Sequence, residues 1–134
     1  MNINGGVIQA MTCNNSISSN GIITLHRGDT FEATLFINEG HQLDPVRYEL
    51  DSNDKVYFGV MEAHQPFEYA LIRKMYTDED VDEQGDVVIK LESKDTENLL
   101  PGTYYYQIKL EHTNEDESTL VNTVVPKRKL FLVE

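Results

Sequence analysis

Alternation of apolar and polar residues predicts that this chain folds mainly as β-strands. The clearest case is residues 85–110, GDVVIKLESKDTENLLPGTYYYQIKL, which predict two strands joined by a short crossing. Successive side chains of a strand point to opposite faces, so every second residue shares a face. The predicted apolar faces consist of Val87, Ile89 and Leu91 in the first strand and of Tyr104, Tyr106, Ile108 and Leu110 in the second.

The crossing between these two strands carries signals of its own. Asp95 is a candidate N-cap for one helical turn, from which Leu99 and Leu100 are expected to reach the core. Pro101-Gly102 suits the two central positions of a type II turn. A tyrosine directly after such a crossing is where immunoglobulin-like sandwiches place their corner tyrosine. This segment therefore predicts an architecture and not a reaction.

Strand signals continue along the rest of the chain. They lie at residues 22–25, 30–38, 55–63, 118–125 and 127–133, while residues 68–77 fit a strand better than a short helix. Gly59 predicts a bulge or a close backbone approach in the middle of its strand, and Pro126 predicts either a final edge strand or two pieces joined by a bulge. Seven to eight short strands with little helix predict an all-β fold, an immunoglobulin-like antiparallel β-sandwich. An eight-stranded small barrel is the alternative.

Length, charge and cysteine content narrow the class of protein. The chain has 134 residues and a net charge of −12, from 23 acidic and 11 basic residues. This charge repels phosphate backbones, so we expect one domain that does not bind nucleic acid. Cys13 is the only cysteine, and no run approaches the roughly 18 apolar residues of a membrane span. We therefore expect a fold made in a reducing cytoplasm, without a disulfide and without membrane contact.

The first 20 residues differ in composition from the rest, because they contain no Lys, Arg, Asp or Glu. They predict an uncharged N-terminal arm, residues 1–20, ahead of the sandwich domain, residues 21–134. One interpretation is a loose tail. The other is an arm that orders against a partner through Val7, Ile8 and Met11, since an uncharged segment packs without desolvating ions.

No motif predicts catalysis, a cofactor or a metal centre. The four histidines are far apart in sequence, and no zinc-ligand spacing, nucleophile elbow or glycine-rich phosphate loop occurs. Asp78, Asp80 and Asp82 match the first three ligand positions of a calcium loop. The match then fails, because Glu83 stands where glycine is required and Ile89 where the bidentate acid belongs. The sequence predicts a solvated acidic hairpin tip in a non-enzymatic protein, with a loose calcium site as the alternative.

Exposed aromatic and basic side chains are candidates for binding. Tyr57 and Tyr105 are predicted on strand faces away from the core, and exposed tyrosine is enriched at interfaces and in sugar-binding clefts. Lys127-Arg128-Lys129 is the only basic cluster, and it predicts either a guard on an edge strand or a contact with an acidic surface of another subunit. Arg27-Gly28-Asp29 spells an integrin-binding tripeptide, but a turn before a strand explains it fully.

Four segments together resemble a known family: RGDTFEATLFI, DKVYFGVMEA, residues 85–110 and TLVNTVVPKRKLFLVE. The pattern is similar to small immunoglobulin-like domains encoded among the structural genes of tailed bacteriophages and prophages of Gram-positive bacteria. Similar domains form the N-terminal part of phage upper-baseplate proteins. The most specific element is DT-x2-L-x-PG-x-YYY-x-I-x-L, present as residues 95–110.

This resemblance implies a non-enzymatic virion protein that docks in many copies on the baseplate or tail, or decorates the capsid. Its expected partners are other phage structural proteins, with a homo-oligomer as an option, and its expected location is the virion. The candidate partner-binding residues are Val7, Ile8, Met11, Tyr105, Leu130, Phe131 and Leu132, the last three on a predicted C-terminal edge strand. A carbohydrate-binding or adhesin-like module that uses Tyr57 or Tyr105 is the alternative.

Overall fold

The computed structural model describes residues 3–10, 16–41 and 44–134, and side chains within 17–39 and 46–134 together with Gly6. Most of the described residues lie in strands and very few in helix, which confirms the all-β prediction. Its strands are β1 (Ile3–Ala10), β2 (Ser16–Ile17), β3 (Ile23–His26), β4 (Phe31–His41), β5 (Asp44–Arg47), β6 (Asp54–Met61), β7 (Ile72–Tyr76), β8 (Val87–Leu91), β9 (Gly102–Thr113) and β10 (Thr119–Val133). One helix, α1 (Ser93–Thr96), and two 3-10 turns, Phe67–Tyr69 and Asp78–Asp80, complete the described elements.

The strands form two sheets. Sheet A contains β1, β4, β5 and β8, and all its pairings are antiparallel. Ala33, Thr34 and Leu35 pair with both β1 and β8, so these two strands lie on opposite sides of β4. Sheet B has the order β2-β3-β10-β9-β6-β7 and is antiparallel except between β3 and β10.

A single hydrophobic core joins the two sheets. Its members include Phe31 and Ile89 of sheet A and Phe58, Tyr106 and Ile108 of sheet B, all of them 0% exposed. The rings of Phe58 and Tyr106 lie 5.8 Å apart at an interplanar angle of 31°, a tilted contact between neighbouring strands. The inward residues alternate with outward ones along β6 and β9, as the sequence pattern predicts.

The crossing between β8 and β9 ends in a corner tyrosine. The Tyr104 hydroxyl donates to the backbone oxygen of Leu100 at 2.6 Å, a bond that runs back four residues along the chain. This is the contact that defines the tyrosine corner of immunoglobulin-like sandwiches, so the architecture is compatible with that fold. Leu99 packs against the core as predicted, whereas Leu100 contributes its carbonyl oxygen and leaves its side chain 78% exposed.

Two local predictions for this crossing are wrong. Asp95 is the third residue of α1 and not its N-cap; its carboxylate instead accepts the N–H of Glu92, the N-cap, at 2.7 Å. The proposed type II turn at Pro101-Gly102 requires a positive φ at the glycine. Gly102 does not adopt one and starts β9 directly, because the Tyr104 bond to Leu100 already closes the corner.

The N-terminal segment does not stand apart from the sandwich. Residues Ile3–Ala10 form β1 and pair with β4 from Ala33 to Glu39, with Val7 opposite Phe36 and Ile8 opposite Leu35. The predicted boundary between an arm and a domain at residue 20 therefore does not apply to these residues. The side chains of Val7 and Ile8, and Met11 as a whole, lie outside the described part of the structure.

The predicted C-terminal edge strand is also wrong, since β10 has neighbours on both sides where Leu130, Phe131 and Leu132 lie. These residues pair with β9 on one side and with β3 on the other. Leu130 and Leu132 are core residues, 3% and 2% exposed. Pro126 is accommodated in the second predicted way, because the β9–β10 register shifts between Val125 and Arg128.

Candidate functional site

The outer face of sheet B, the side turned away from the core, carries exposed apolar side chains together with basic ones. Strand alternation places on it every second residue of the four neighbouring strands β7, β6, β9 and β10. These outward residues include Lys55, Tyr57, Gly59, Met61, Arg73, Met75, Tyr105, Gln107, Lys109, Glu111, Val121, Thr123 and Lys129. Tyr57 is central, because it is opposite Met75 on one side and Lys109 on the other.

The loop between β6 and β7 folds back over this face. Its 3-10 turn places the Phe67 ring directly above Gly59, where an added Cβ would lie 2.6 Å from Phe67 Cε2. Met61, an outward residue of β6, is 0% exposed although it is not part of the core cluster. The close approach at Gly59 is thus made by a side-chain ring and not by backbone, and β6 passes through it without the predicted bulge.

Two cations lie against the Phe67 ring. Lys109 Nζ is 5.0 Å from the ring centroid, and Arg73 Cζ is 5.6 Å from it. Arg73 also donates to the backbone oxygen of Phe67 at 3.2 Å, which fixes the loop and the guanidinium together. Cation–π contacts of this kind contribute roughly 0.5–1 kcal/mol at exposed sites. The result is a pair of positive side chains held in place on a partly apolar surface.

A shallow groove of about 230 Å³ opens beside this ring, lined by Tyr57, Phe67, Arg73, Lys109, Glu111 and Val121. Val121 and Met75 are 58% and 51% exposed, which is high for large apolar side chains on a sheet. Tyrosine, phenylalanine, methionine and arginine are the residues enriched at protein interfaces. The groove therefore has the composition of a binding surface.

Most of the basic residues that have no ion-pair partner among the described carboxylates lie on or over the same face. Of the 11 basic residues, those in ion pairs with carboxylates are Arg27, Arg47, Lys74, Lys90 and Lys94. No carboxylate of the described residues pairs with the others, which are Lys55, Arg73, Lys109, Lys127, Arg128 and Lys129. Four of these are outward residues of sheet B, and Lys127 reaches over it to donate to the Gln65 backbone oxygen at 2.6 Å.

The structure brings together only part of the predicted binding set. Tyr105 and Phe131 are half-buried neighbours on the outer face of sheet B, where Tyr105 is opposite Lys129 and Phe131 is opposite Thr103. Leu130 and Leu132 point into the core instead. Sequence reasoning did not single out Phe67, Arg73 or Lys109. The one signal that could have led to them was Gly59, whose missing side chain makes room for the Phe67 ring.

A second cluster of polar side chains lies where β6 begins and β9 ends. The buried Asp54 carboxylate contacts His112 Nδ1 at 2.6 Å, and its other oxygen accepts from the Tyr48 hydroxyl at 2.6 Å and from the Asp51 N–H at 2.9 Å. Burial, with Asp54 beside it, raises the pKa of Tyr48 well above its usual value. Asp51, Asp54 and His112 are the described residues whose potential metal-ligand atoms converge, within 4.8 Å. Because both Asp54 oxygens already accept hydrogen bonds, the cluster is best explained as an anchor for the loop before β6.

The described carboxylates of the acidic segment after β7 do not converge in a group of three that could hold a metal ion. One Asp80 oxygen accepts the Thr77 N–H at 2.8 Å. One Asp82 oxygen accepts the N–H groups of Gln84 and Asp86 at 3.0 Å each. These carboxylates therefore stabilise turns. The segment as a whole is not the predicted hairpin tip, because β7 lies in sheet B and β8 lies in sheet A.

The comparisons do not place this chain in a known group: no family, no curated protein and no solved structure matches it. Among the described residues, no helix has the length and apolar character needed to cross a bilayer.

Proposed function

We propose that this protein is a non-enzymatic, immunoglobulin-like structural module of a tailed-phage virion, which binds neighbouring structural subunits through the outer face of sheet B. Two observations support the assignment to a phage virion. The motif of residues 95–110 resembles phage immunoglobulin-like domains, and the Tyr104–Leu100 bond is compatible with the fold that this resemblance implies. Docking on the baseplate, on the tail or on the capsid surface would each use the module in many copies.

The observation that carries the docking role is the groove beside Phe67. Met75 and Val121 expose apolar surface next to Tyr57, while ordered cations flank the same area. A surface of this composition gains free energy when a partner removes it from water, at about 25 cal/mol per Å² of apolar area. It replaces the C-terminal edge as the proposed contact, since β10 pairs with β3 and with β9 where Leu130, Phe131 and Leu132 lie.

The proposal is tested on particles from a strain that carries this gene. After gradient purification, quantitative mass spectrometry should find the chain at a fixed ratio to the major structural proteins. The double variant Met75→Ser/Val121→Ser should reduce this ratio, whereas Leu100→Ser, which removes an equally exposed apolar residue elsewhere, should not. Recovery of the wild-type chain only in the particle-free fraction would contradict the virion assignment.

A carbohydrate-binding module is the second candidate, and the groove lined by Tyr57 is what favours it. Aromatic rings with a polar tip suit sugar rings, and Arg73 or Lys109 could contact an acidic sugar. A glycan array with the wild-type chain and with Tyr57→Ala and Tyr105→Ala would decide. Glycan retention that either substitution removes, with normal incorporation into particles, would support this candidate over the first.

A further inference from the structure

We propose that the outer face of sheet B binds an acidic polypeptide segment of another protein chain. The proposal rests on the docking role proposed above and names the chemistry of the partner. Its basis is the segregation of charge by sheet face. In a protein of net charge −12, Glu111 is the single acidic residue among the outward positions of β6, β7, β9 and β10.

Charge complementarity defines the partner. The outward positions of these strands carry Lys55, Arg73, Lys109 and Lys129, none of which forms an ion pair with a described carboxylate. Elsewhere the excess of acids supplies partners, as Lys90 with Glu32 and Lys94 with Glu92 illustrate. Although Glu111 is opposite Lys55, no ion pair with a described carboxylate offsets the attraction of these four cations for an acidic partner.

The cations are also positioned before a partner arrives. Arg73 and Lys109 are held against the Phe67 ring, and the Arg73 bond to the Phe67 oxygen restricts its rotamers. Less side-chain entropy is then lost when a carboxylate binds. The groove between them has room for an apolar side chain against Tyr57 and Val121. The expected ligand is a segment in which carboxylates flank an apolar residue.

Two other occupants fit less well. A face-to-face dimer would place these cations against their own copies, and the outward strand positions supply only Glu111 to offset the repulsion. A sugar could stack on Tyr57, but the Phe67 ring beside it is already contacted by Lys109 and Arg73, which leaves fewer aromatic faces free for a sugar. Both occupants are outcomes of the test below.

The experiment uses the full chain, immobilised, to select binders from a random-peptide display library. Enriched peptides should carry an excess of Asp and Glu around an apolar residue, and a labelled peptide from the selection then serves as the probe. In fluorescence anisotropy its affinity should fall when NaCl rises from about 0.05 M to about 0.5 M, because exposed charges are screened. Arg73→Glu/Lys109→Glu should weaken binding by about tenfold or more.

A matched control separates the site from net charge. Lys90→Glu/Lys94→Glu changes the charge by the same amount on side chains that are 63% and 73% exposed and lie outside this face. Its affinity should remain within about twofold of wild type, the change expected from long-range charge alone. Since Arg73→Glu could disturb the Phe67 loop, Lys55→Glu/Lys129→Glu provides a second variant that leaves the ring contacts intact. It should also weaken binding.

Several results would overturn the proposal: enrichment of peptides without acidic residues, equal affinity of the site and control variants, salt-dependent self-association of the chain, or binding of an acidic glycan in place of peptides. Its failure is distinguishable from failure of the virion assignment. If the chain is absent from particles but binds acidic peptides, the virion assignment fails and this inference stands. If Arg73→Glu/Lys109→Glu leaves incorporation into particles unchanged, this inference fails and the virion assignment stands.

Discussion

The hydroxyl of Tyr76 makes two hydrogen bonds with the backbone of Lys90, accepting from its N–H at 3.0 Å and donating to its carbonyl oxygen at 3.1 Å. Tyr76 lies in β7 of sheet B and Lys90 in β8 of sheet A, so one side chain joins the two sheets. β8 pairs with β4 on one side only, and these two Lys90 groups are satisfied by Tyr76 instead of a strand. Tyr76 therefore covers part of an open sheet edge.

Removing this hydroxyl should destabilise the fold. In Tyr76→Phe the Lys90 N–H and carbonyl lose their partner in a partly buried place, and the expected loss is about 1–3 kcal/mol of unfolding free energy. Urea denaturation followed by circular dichroism measures it. Tyr69→Phe is the control, because Tyr69 is 68% exposed, and it should leave the stability within about 0.5 kcal/mol. Equal stability of the two variants would show that the Tyr76–Lys90 bonds contribute little.

Alkaline pH should weaken the protein through its buried tyrosines. Burial raises the pKa of Tyr76 and of Tyr106 from 10.0 to about 12, since the phenolate is poorly solvated in the core. Between these values the folded state keeps protons that the unfolded state has lost. The stability from these two groups is thus complete below pH 10 and is lost as the pH rises from 10 to 12.

Denaturation at pH 9, 10.5 and 11.5 checks this expectation, because the midpoint should fall steadily over that interval. Tyr76→Phe removes one of the raised tyrosine ionisations, which are those of Tyr48, Tyr76 and Tyr106, so its midpoint should fall less steeply than that of the wild type. Tyr69→Phe should keep the wild-type slope. A midpoint that is constant from pH 10 to 12 would contradict the role of both buried groups.

Gly59 and Phe67 should be energetically coupled. A Cβ at residue 59 would meet the Phe67 ring at 2.6 Å, so Gly59→Ala should displace the loop and cost about 1–3 kcal/mol. In the Phe67→Ala background the same substitution should cost much less, which a double-mutant cycle measures. Gly102→Ala is the control, because nothing lies within 4 Å of its Cβ position and its φ is not positive. Additive costs would mean that the loop is not held against β6.

The strands that sequence alone predicts best are those buried on one face only. β6, β8 and β9 each alternate between core and surface, and their pattern is visible in the letters. The pairing of β1 with β4 is not visible in this way, because the sequence INGGVIQA of β1 does not alternate between apolar and polar residues. The two-sided pairing of Leu130–Val133 depends on β3, about a hundred residues earlier in the chain, so the sequence suggested an open edge there.

The candidate site was less predictable than the fold, for a related reason. Gly59 indicated a close approach, but Phe67 arrives from a loop whose path no local pattern specifies. Lys55, Arg73, Lys109 and Lys129 are scattered in sequence and become one surface only through the register of β6, β7, β9 and β10. The net charge follows from composition alone, whereas the grouping of these four basic residues on one face depends on how the strands pair.

The Asp54 cluster should be a major contributor to stability without being a binding site. Asp54 is 1% exposed and accepts from Tyr48 and from the Asp51 N–H, while it also contacts His112. Asp54→Ala leaves all three groups without their partner and should cost about 3 kcal/mol or more. Asp54→Asn keeps one acceptor oxygen and should cost less.

Thermal and urea denaturation would measure both variants, with Glu115→Ala as the control because Glu115 is an exposed carboxylate in the loop after β9. The Asp54 variants should lose stability but should still bind the selected acidic peptide with wild-type affinity at low temperature. The reason is that the cluster lies where β6 begins and β9 ends, and not on the outer face of sheet B. If zinc or calcium raised the melting temperature of the wild type but not of Asp54→Asn, the anchor interpretation would give way to a metal site. Without such a shift, the three ligand-type side chains act by hydrogen bonding alone, tying the segment before β6 to the end of β9.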